Sequence, residues 1–195
     1  MDLEKNELEY TNLIKTLGDV AEKFLIYLNR DRVKFFEKPY NNYSGSDYAG
    51  SLCEYSLILY HEVVKLAEIY CPNKYSRQDI IKATLLSNFY RAELYEPYLK
   101  NVKNEITGQW EQVQCYRVKE THPTFGAIGM SSYMIAKKFF DLSDEVAMAI
   151  IYGSENNFMD SFLVRKNFGL LNLVSMANTS VAFFEKTNML VGEPG

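Results

Sequence analysis

The chain has 195 residues, 47% of them apolar and 24% charged, with a formal net charge of -4. That is enough chain for one domain with a core of useful size, and the acidic balance argues against a nucleic-acid-binding domain, which normally shows a basic stripe. The longest apolar runs fall short of a membrane span, the acidic start MDLEKNELEY has no signal-peptide pattern, and three cysteines without a C-x-x-C spacing read as reduced thiols. Aromatic content is high at 14%, from 15 Tyr and 12 Phe. Part of it belongs to the core, and Tyr also suits a pocket that stacks on rings.

In chain order, Leu13, Leu17, Val20, Phe24 and Leu28 recur at helical spacing and predict one long helix over 3–30. The stretch that follows, to Gly50, carries Pro39, paired Asn and two Gly and reads as a loop. A second helix is predicted over 51–70, with Leu52, Tyr55, Leu59, Val63, Leu66 and Tyr70 on one stripe, before the break at Pro72 and Asn73. Ser76, three residues before Asp79, is the N-cap of a third helix ending at Ser87 and Asn88.

From about 98 to 118 the period shortens, and two strands are predicted around a turn at Thr107 and Gly108. Gly126 and Gly129 open a fourth helix with Met130, Tyr133, Met134 and Phe140. Ser143 caps a fifth, with Asp144 and Glu145 favourably placed in its first turn. A polar loop over 153–161 leads to a last, mostly apolar helix over 164–184. Residues 187–195 read as a disordered tail, so the expected organisation is a single domain over 1–186.

Two segments carry a family resemblance. GSLCEYSL at Gly50 matches the form G-G-L-L-E-H-S-L, and ATLLSNFYR at Ala83 matches A-L-L-H-D-L-C-K. A third, around the hairpin, matches RNVK-x-G-x-W at Asn101, Val102, Lys103, Gly108 and Trp110. In these respects the chain resembles the HD-domain metal-dependent phosphohydrolases, in particular the short HD proteins of bacteriophages, over roughly 45–185. The resemblance implies a mainly α, HD-domain-like helical bundle with a small β-hairpin insert. The family's metal ligands are His and Asp, which supply lone pairs to an ion that activates water. Here their places fall on Tyr55, Ser87, Asn88 and Asn178, and more loosely on Ile128 and Tyr152. None of these is an ionised carboxylate or an imidazole. The resemblance therefore implies no catalytic residue, no metal and no cofactor.

The chain has two histidines. His61 lies about 240° around its helix from Tyr55, and His122 sits beside Pro123, so both read as ordinary surface or half-buried residues. No Cys-His or Ser-His-Asp spacing suggests nucleophilic catalysis. Arg91 stands where the family has a Lys beside the phosphate site, and a guanidinium contacts phosphate with two prongs. The bland reading of Arg91 is an ion pair with Glu93 or Glu96. Tyr55, Ser87, Asn88, Tyr152 and Asn178 offer neutral groups that either hold a ligand or simply fill the old cavity. Trp110, Tyr116, Lys103 and Arg117 on the hairpin close over that cavity in the ligand-binding reading and simply pack the hairpin on the helices in the bland one.

The functional expectation is a catalytically inactive, phage-encoded protein of the host bacterial cytoplasm that sequesters a nucleotide-type, phosphate-bearing signal to counter host defence. The alternative is a protein–protein interaction scaffold that inhibits a host immune effector or nuclease. A homo-oligomer fits either; a membrane or nucleic-acid partner fits neither.

Overall fold

A computed structural model describes residues 2–42, 46–120, 127–153 and 167–190, the last stretch with side chains to 181. The described chain is mainly helical, with one two-stranded antiparallel sheet. His122, Gly126, the polar stretch 154–161 and the start of the last predicted helix lie outside these residues.

The predicted first helix is two helices, α1 (Leu3–Lys15) and α2 (Val20–Leu28). The Asp2 side chain accepts from the Lys5 N–H at 3.1 Å and caps α1, with Glu4 in the first turn and Lys15 in the last. Gly18 divides the pair. Its φ of +96° is a conformation that costs an L-residue with a side chain about 1 kcal/mol or more, so apolar spacing continues while the helix does not. A 3-10 turn, Phe35–Glu37, follows.

Helix α3 (Ser51–Tyr70) is central and packs on α1, α4 (Arg77–Leu85) and α8 (Gly169–Leu190). Of its predicted stripe, Leu52, Tyr55, Leu59 and Val63 are buried and Leu66 is half-buried. Tyr70, at the C-terminal end of the helix beside the likewise exposed Ile69, is 62% exposed. Cys53, Ser56, Leu57 and Tyr60 are buried as well, so the first half of α3 has almost no solvent face. Ser76 caps α4 as predicted by accepting from the Asp79 N–H at 3.1 Å.

A short helix, α5 (Arg91–Leu94), runs directly into β1 (Tyr95–Lys103), which pairs with β2 (Trp110–Val118). The hairpin thus starts three residues earlier than predicted. Its loop is built on Asn104, whose side-chain oxygen accepts from the Ile106 and Thr107 N–H groups, with Gly108 at φ +71°.

Helix α6 (Ile128–Ala136) ends before Phe140, which is buried beyond it, and α7 (Asp144–Tyr152) starts after the Ser143 cap. Gly129 lets α6 cross α7 closely. A β-carbon there would lie 2.2 Å from the Ile151 carbonyl oxygen. Helix α8 continues to Leu190, through the first residues of the predicted tail. It is less uniformly buried than its composition suggests: Leu170, Leu171, Leu173, Val174, Ala177 and Val181 face inward, and Met176 is 43% exposed.

The core is aromatic at one end. Phe24 meets Phe89, Phe139 and Phe140 at centroid distances of 5.2, 5.5 and 5.3 Å in edge-to-face geometry, which fixes α2 against the turns after α4 and α6. Burying a ring as fully as Phe24, Phe89 or Phe140 is worth about 3 kcal/mol. Among the described residues no helix is long and apolar enough to cross a membrane.

Candidate functional site

Tyr55 projects from the first half of α3 toward α8. Its hydroxyl donates to Asn178 Oδ1 at 2.7 Å, and Asn178 Nδ2 donates to the Gly153 carbonyl at 2.8 Å. Tyr55 and Asn178 are 5% and 8% exposed, so these bonds satisfy groups that water does not reach freely. They tie α3, α8 and the end of α7 at one point. Tyr152, the last residue of α7, is half-buried against the core next to this junction. Ile128 is half-buried at the start of α6.

Tyr40 joins this junction to the Ser87–Asn88 pair. Its ring stacks on Tyr55 with centroids 3.6 Å apart and planes 19° from parallel. The Arg91 guanidinium lies 4.3 Å from the Tyr40 ring centre. Arg91 Nε donates to Asn88 Oδ1, and another of its N–H groups donates to the Tyr40 carbonyl, each at 3.3 Å. Asn88 Nδ2 donates in turn to Ser87 Oγ at 3.1 Å, and Ser87 Oγ donates to the Thr84 carbonyl at 2.8 Å. The fold therefore gathers Tyr55, Asn178, Ser87, Asn88 and Arg91 into one connected cluster through Tyr40.

Tyr40 was not singled out from the sequence. It lies in the stretch read as loop, where position carries no periodic signal. That stretch is pinned by side chains: Ser51 Oγ accepts from the Tyr40 N–H at 2.8 Å and donates to the Ser46 carbonyl at 2.7 Å, and Asn41 Nδ2 donates to Ser46 Oγ at 2.5 Å. Lys38 escaped notice for the same reason. It is 7% exposed and donates to the Tyr95 carbonyl at 3.0 Å. Burial, aided by the nearby Lys119 charge, lowers its pKa from the ordinary value.

Arg91 does not make the ion pair that the bland reading gave it. The Glu93 carboxylate accepts the Tyr27 hydroxyl, and Glu96 pairs with Arg117 at 2.8 Å. Among the described residues no carboxylate is paired with the half-buried Arg91, whose partners are two neutral oxygens and a ring.

Lys103 and Arg117 sit apart from this cluster. Lys103 is exposed near the hairpin tip, opposite Trp110. Arg117 is bonded within the hairpin, to Glu96 and over the Tyr98 ring at 5.7 Å. Trp110 is 71% exposed, so the hairpin's outer part projects from the helices instead of folding over them.

Away from this cluster, a groove of about 930 Å³ opens between α1, α3 and α4. His61 bridges it to Glu9 at 2.7 Å, and Arg77 donates to the Tyr60 hydroxyl at 3.1 Å. It contains none of the residues of the Tyr55 cluster. Among the described residues no three His, Cys, Asp or Glu side chains converge in a metal-binding group, and Cys53, Cys71 and Cys115 are free thiols.

Compared with protein-family models, with curated proteins and with solved structures, the chain matches none of them.

Proposed function

We propose that this protein is a non-catalytic, HD-like helical protein that binds a phosphate-bearing ligand of nucleotide type and holds it without turnover. The observation that carries this reading is Arg91. A half-buried guanidinium whose partners among the described residues are two neutral oxygens and a ring has N–H donors to offer an anion. A structural arginine in such a position would ordinarily be paired with a carboxylate, and the two nearest in sequence are engaged elsewhere. The stacked rings of Tyr40 and Tyr55 hold the platform beneath it. In this reading Tyr55, Ser87, Asn88 and Asn178 support Arg91 from behind. Their groups are buried and already bonded to protein, so the ligand contact falls on the guanidinium face.

Binding of this kind needs no metal. The resemblance to phage HD proteins connects it with sequestration of a defence signal, a step that rests on analogy of sequence alone. Titration calorimetry with cyclic dinucleotides, cyclic trinucleotides and ADP-ribose derivatives, in the presence of a chelator, tests it. Saturable binding at micromolar concentrations, recovery of the ligand intact, and loss of binding in Arg91→Ala are the expected results. Absence of binding by every compound at millimolar concentration overturns it.

The projecting hairpin favours a second reading, an interaction scaffold directed at a host immune effector or nuclease. It places a 71%-exposed Trp110 and a 96%-exposed Ile106 at the end of an arm, where aromatic and aliphatic side chains serve as anchors. Under this reading an immobilised wild-type protein captures one stoichiometric host protein that a Trp110→Ala variant does not.

A further inference from the structure

The hairpin arm has two open edges, because β1 and β2 form a sheet of their own among the described residues. An exposed strand edge with apolar side chains is a template for another strand, and soluble proteins usually guard it. The two edges differ in this respect. β1 carries Pro97, Lys100 and Lys103. β2, WEQVQCYRV, carries no Pro and no Lys.

The direction of each backbone group follows from the ends of the ladder. The Asn104 N–H donates to the Gln109 carbonyl at 2.8 Å, and the Lys119 N–H donates to the Leu94 carbonyl at 2.9 Å. Hydrogen-bonded pairs alternate with non-bonded pairs along an antiparallel ladder. Counting in twos between those ends along the observed register, Trp110, Gln112, Gln114, Tyr116 and Val118 turn their backbone groups to the open edge of β2. The same count turns Pro97 to the open edge of β1, where its missing N–H spoils that edge for pairing.

The residues of β2 are self-complementary about Gln114. Laid antiparallel on a second copy of itself with Gln114 opposite Gln114, the strand sets Glu111 opposite Arg117 and Trp110 opposite Val118, each twice by symmetry. Val113 then faces Cys115. Moving the centre to Val113 sets Glu111 against Cys115, and moving it to Cys115 sets Val113 against Arg117. Both shifts lose the charge pairing. Trp110, Val113 and Val118, at 71%, 43% and 47% exposed, are the apolar residues that the Gln114-centred pairing would cover.

We propose that the chain forms a two-fold dimer in which β2 of one copy adds to β2 of another, antiparallel and centred on Gln114, to make a four-stranded sheet between two helical bodies. The interface is independent of Arg91, so its failure and the failure of the ligand-binding reading are separate results.

Sedimentation velocity of the full chain over a concentration series tests it. The wild type is expected to be a dimer. Gln114→Pro removes the outward N–H at the symmetry centre, at the same kind of ladder position that Pro97 occupies. It is expected to be a monomer with unchanged circular dichroism and unchanged nucleotide binding. Val113→Cys, under mild oxidation, is expected to give a disulfide dimer joining position 113 to Cys115 of the second copy, a non-bonded pair whose Cα separation of about 4.5 Å suits a disulfide. That cross-link does not depend on the proline variant folding. A wild type that stays monomeric at roughly 100 µM overturns the proposal, as does a Gln114→Pro variant that folds and remains dimeric. A cross-link that maps to 113–113 overturns the register.

Discussion

Tyr55 and Asn178 are 123 positions apart in sequence and share a 2.7 Å hydrogen bond that ties α3 to α8, while Asn178 holds the Gly153 carbonyl with its other end. The two side chains act as one unit. Asn178→Ala removes the acceptor of the Tyr55 hydroxyl and the donor to the Gly153 carbonyl and is expected to cost about 2–4 kcal/mol. Tyr55→Phe leaves one acceptor short and is expected to cost about 1–2 kcal/mol. Because the first change already breaks the shared bond, the double variant should lose clearly less than the sum, and urea denaturation of the four proteins measures the coupling.

Two other buried phenols make a contrast. The Tyr10 hydroxyl donates to the Leu85 carbonyl at 2.9 Å, linking α1 to the end of α4. The Tyr90 hydroxyl is buried without a partner among the described residues. Tyr10→Phe is expected to destabilise by about 1–3 kcal/mol, whereas Tyr90→Phe should be neutral or stabilising by up to about 1 kcal/mol. Equal losses in the two variants would contradict this difference.

Two glycines are needed for different reasons. Gly18 has φ +96° and open space around its α-carbon. Gly18→Ala should cost about 1–2 kcal/mol, from backbone conformation alone. Gly129→Ala must push apart the α6–α7 crossing, where carbonyls rather than side chains block the way, and should cost about 3 kcal/mol or more. Thermal unfolding of both variants gives the order.

The alkaline limb of stability follows from buried acids that are harder to ionise in the folded state. Burial raises Tyr10 well above the ordinary phenol value of 10.0, and raises Tyr90 and Tyr116 as well. Tyr27 is raised by burial and then by its bond to Glu93. Each contributes stability that is fully present below its unfolded value and is lost as pH rises from there through the folded value. Lys38, shifted downward by burial, has the opposite sign: stability is gained as pH rises from its lowered value toward 10.5. These phenols, with Tyr75 raised in the same direction chiefly by burial, outweigh one amine, so stability should fall above about pH 10. Denaturant titrations at a series of pH values, with phenolate absorbance followed in parallel, check the slope.

Burial also pushes the Cys53 thiol up from its ordinary value of 9.0, while Cys71 and Cys115 are half-buried. A thiol reagent at pH 8 should therefore label the latter two quickly and Cys53 only on unfolding.

Local elements and their faces were legible in the sequence wherever a local rule operates. The Ser76 and Ser143 caps and the buried run Leu52–Tyr55–Leu59–Val63 stand where spacing put them. The hairpin was visible too, off by three residues at its start because α5 runs into β1 without a break. Gly18 was passed over because apolar residues keep their helical spacing across it, and spacing does not report φ.

The candidate site divides along the same line. Tyr55, Ser87, Asn88, Arg91 and Asn178 were named from motif positions, and the fold connects them. Tyr40, the ring that connects them, has no motif and no periodicity, and its place depends on Ser51 holding its N–H. Lys103 and Arg117 were assigned to the same cavity on the assumption that the hairpin folds back, but Trp110 and Ile106 at its end face solvent.

By itself the order of residues determined where most of the helical segments lie, the caps at Ser76 and Ser143, and that one antiparallel ribbon interrupts them. Those outcomes depend on interactions between residues a few positions apart. Tertiary structure alone decided that Arg91 has no carboxylate partner among the described residues, that Tyr40 stacks on Tyr55, and that the ribbon pairs with no third strand among the described residues. Each of these is a choice among distant partners, Tyr27 taking Glu93 and Arg117 taking Glu96, and such choices are settled only when packing has brought the competitors within reach of one another.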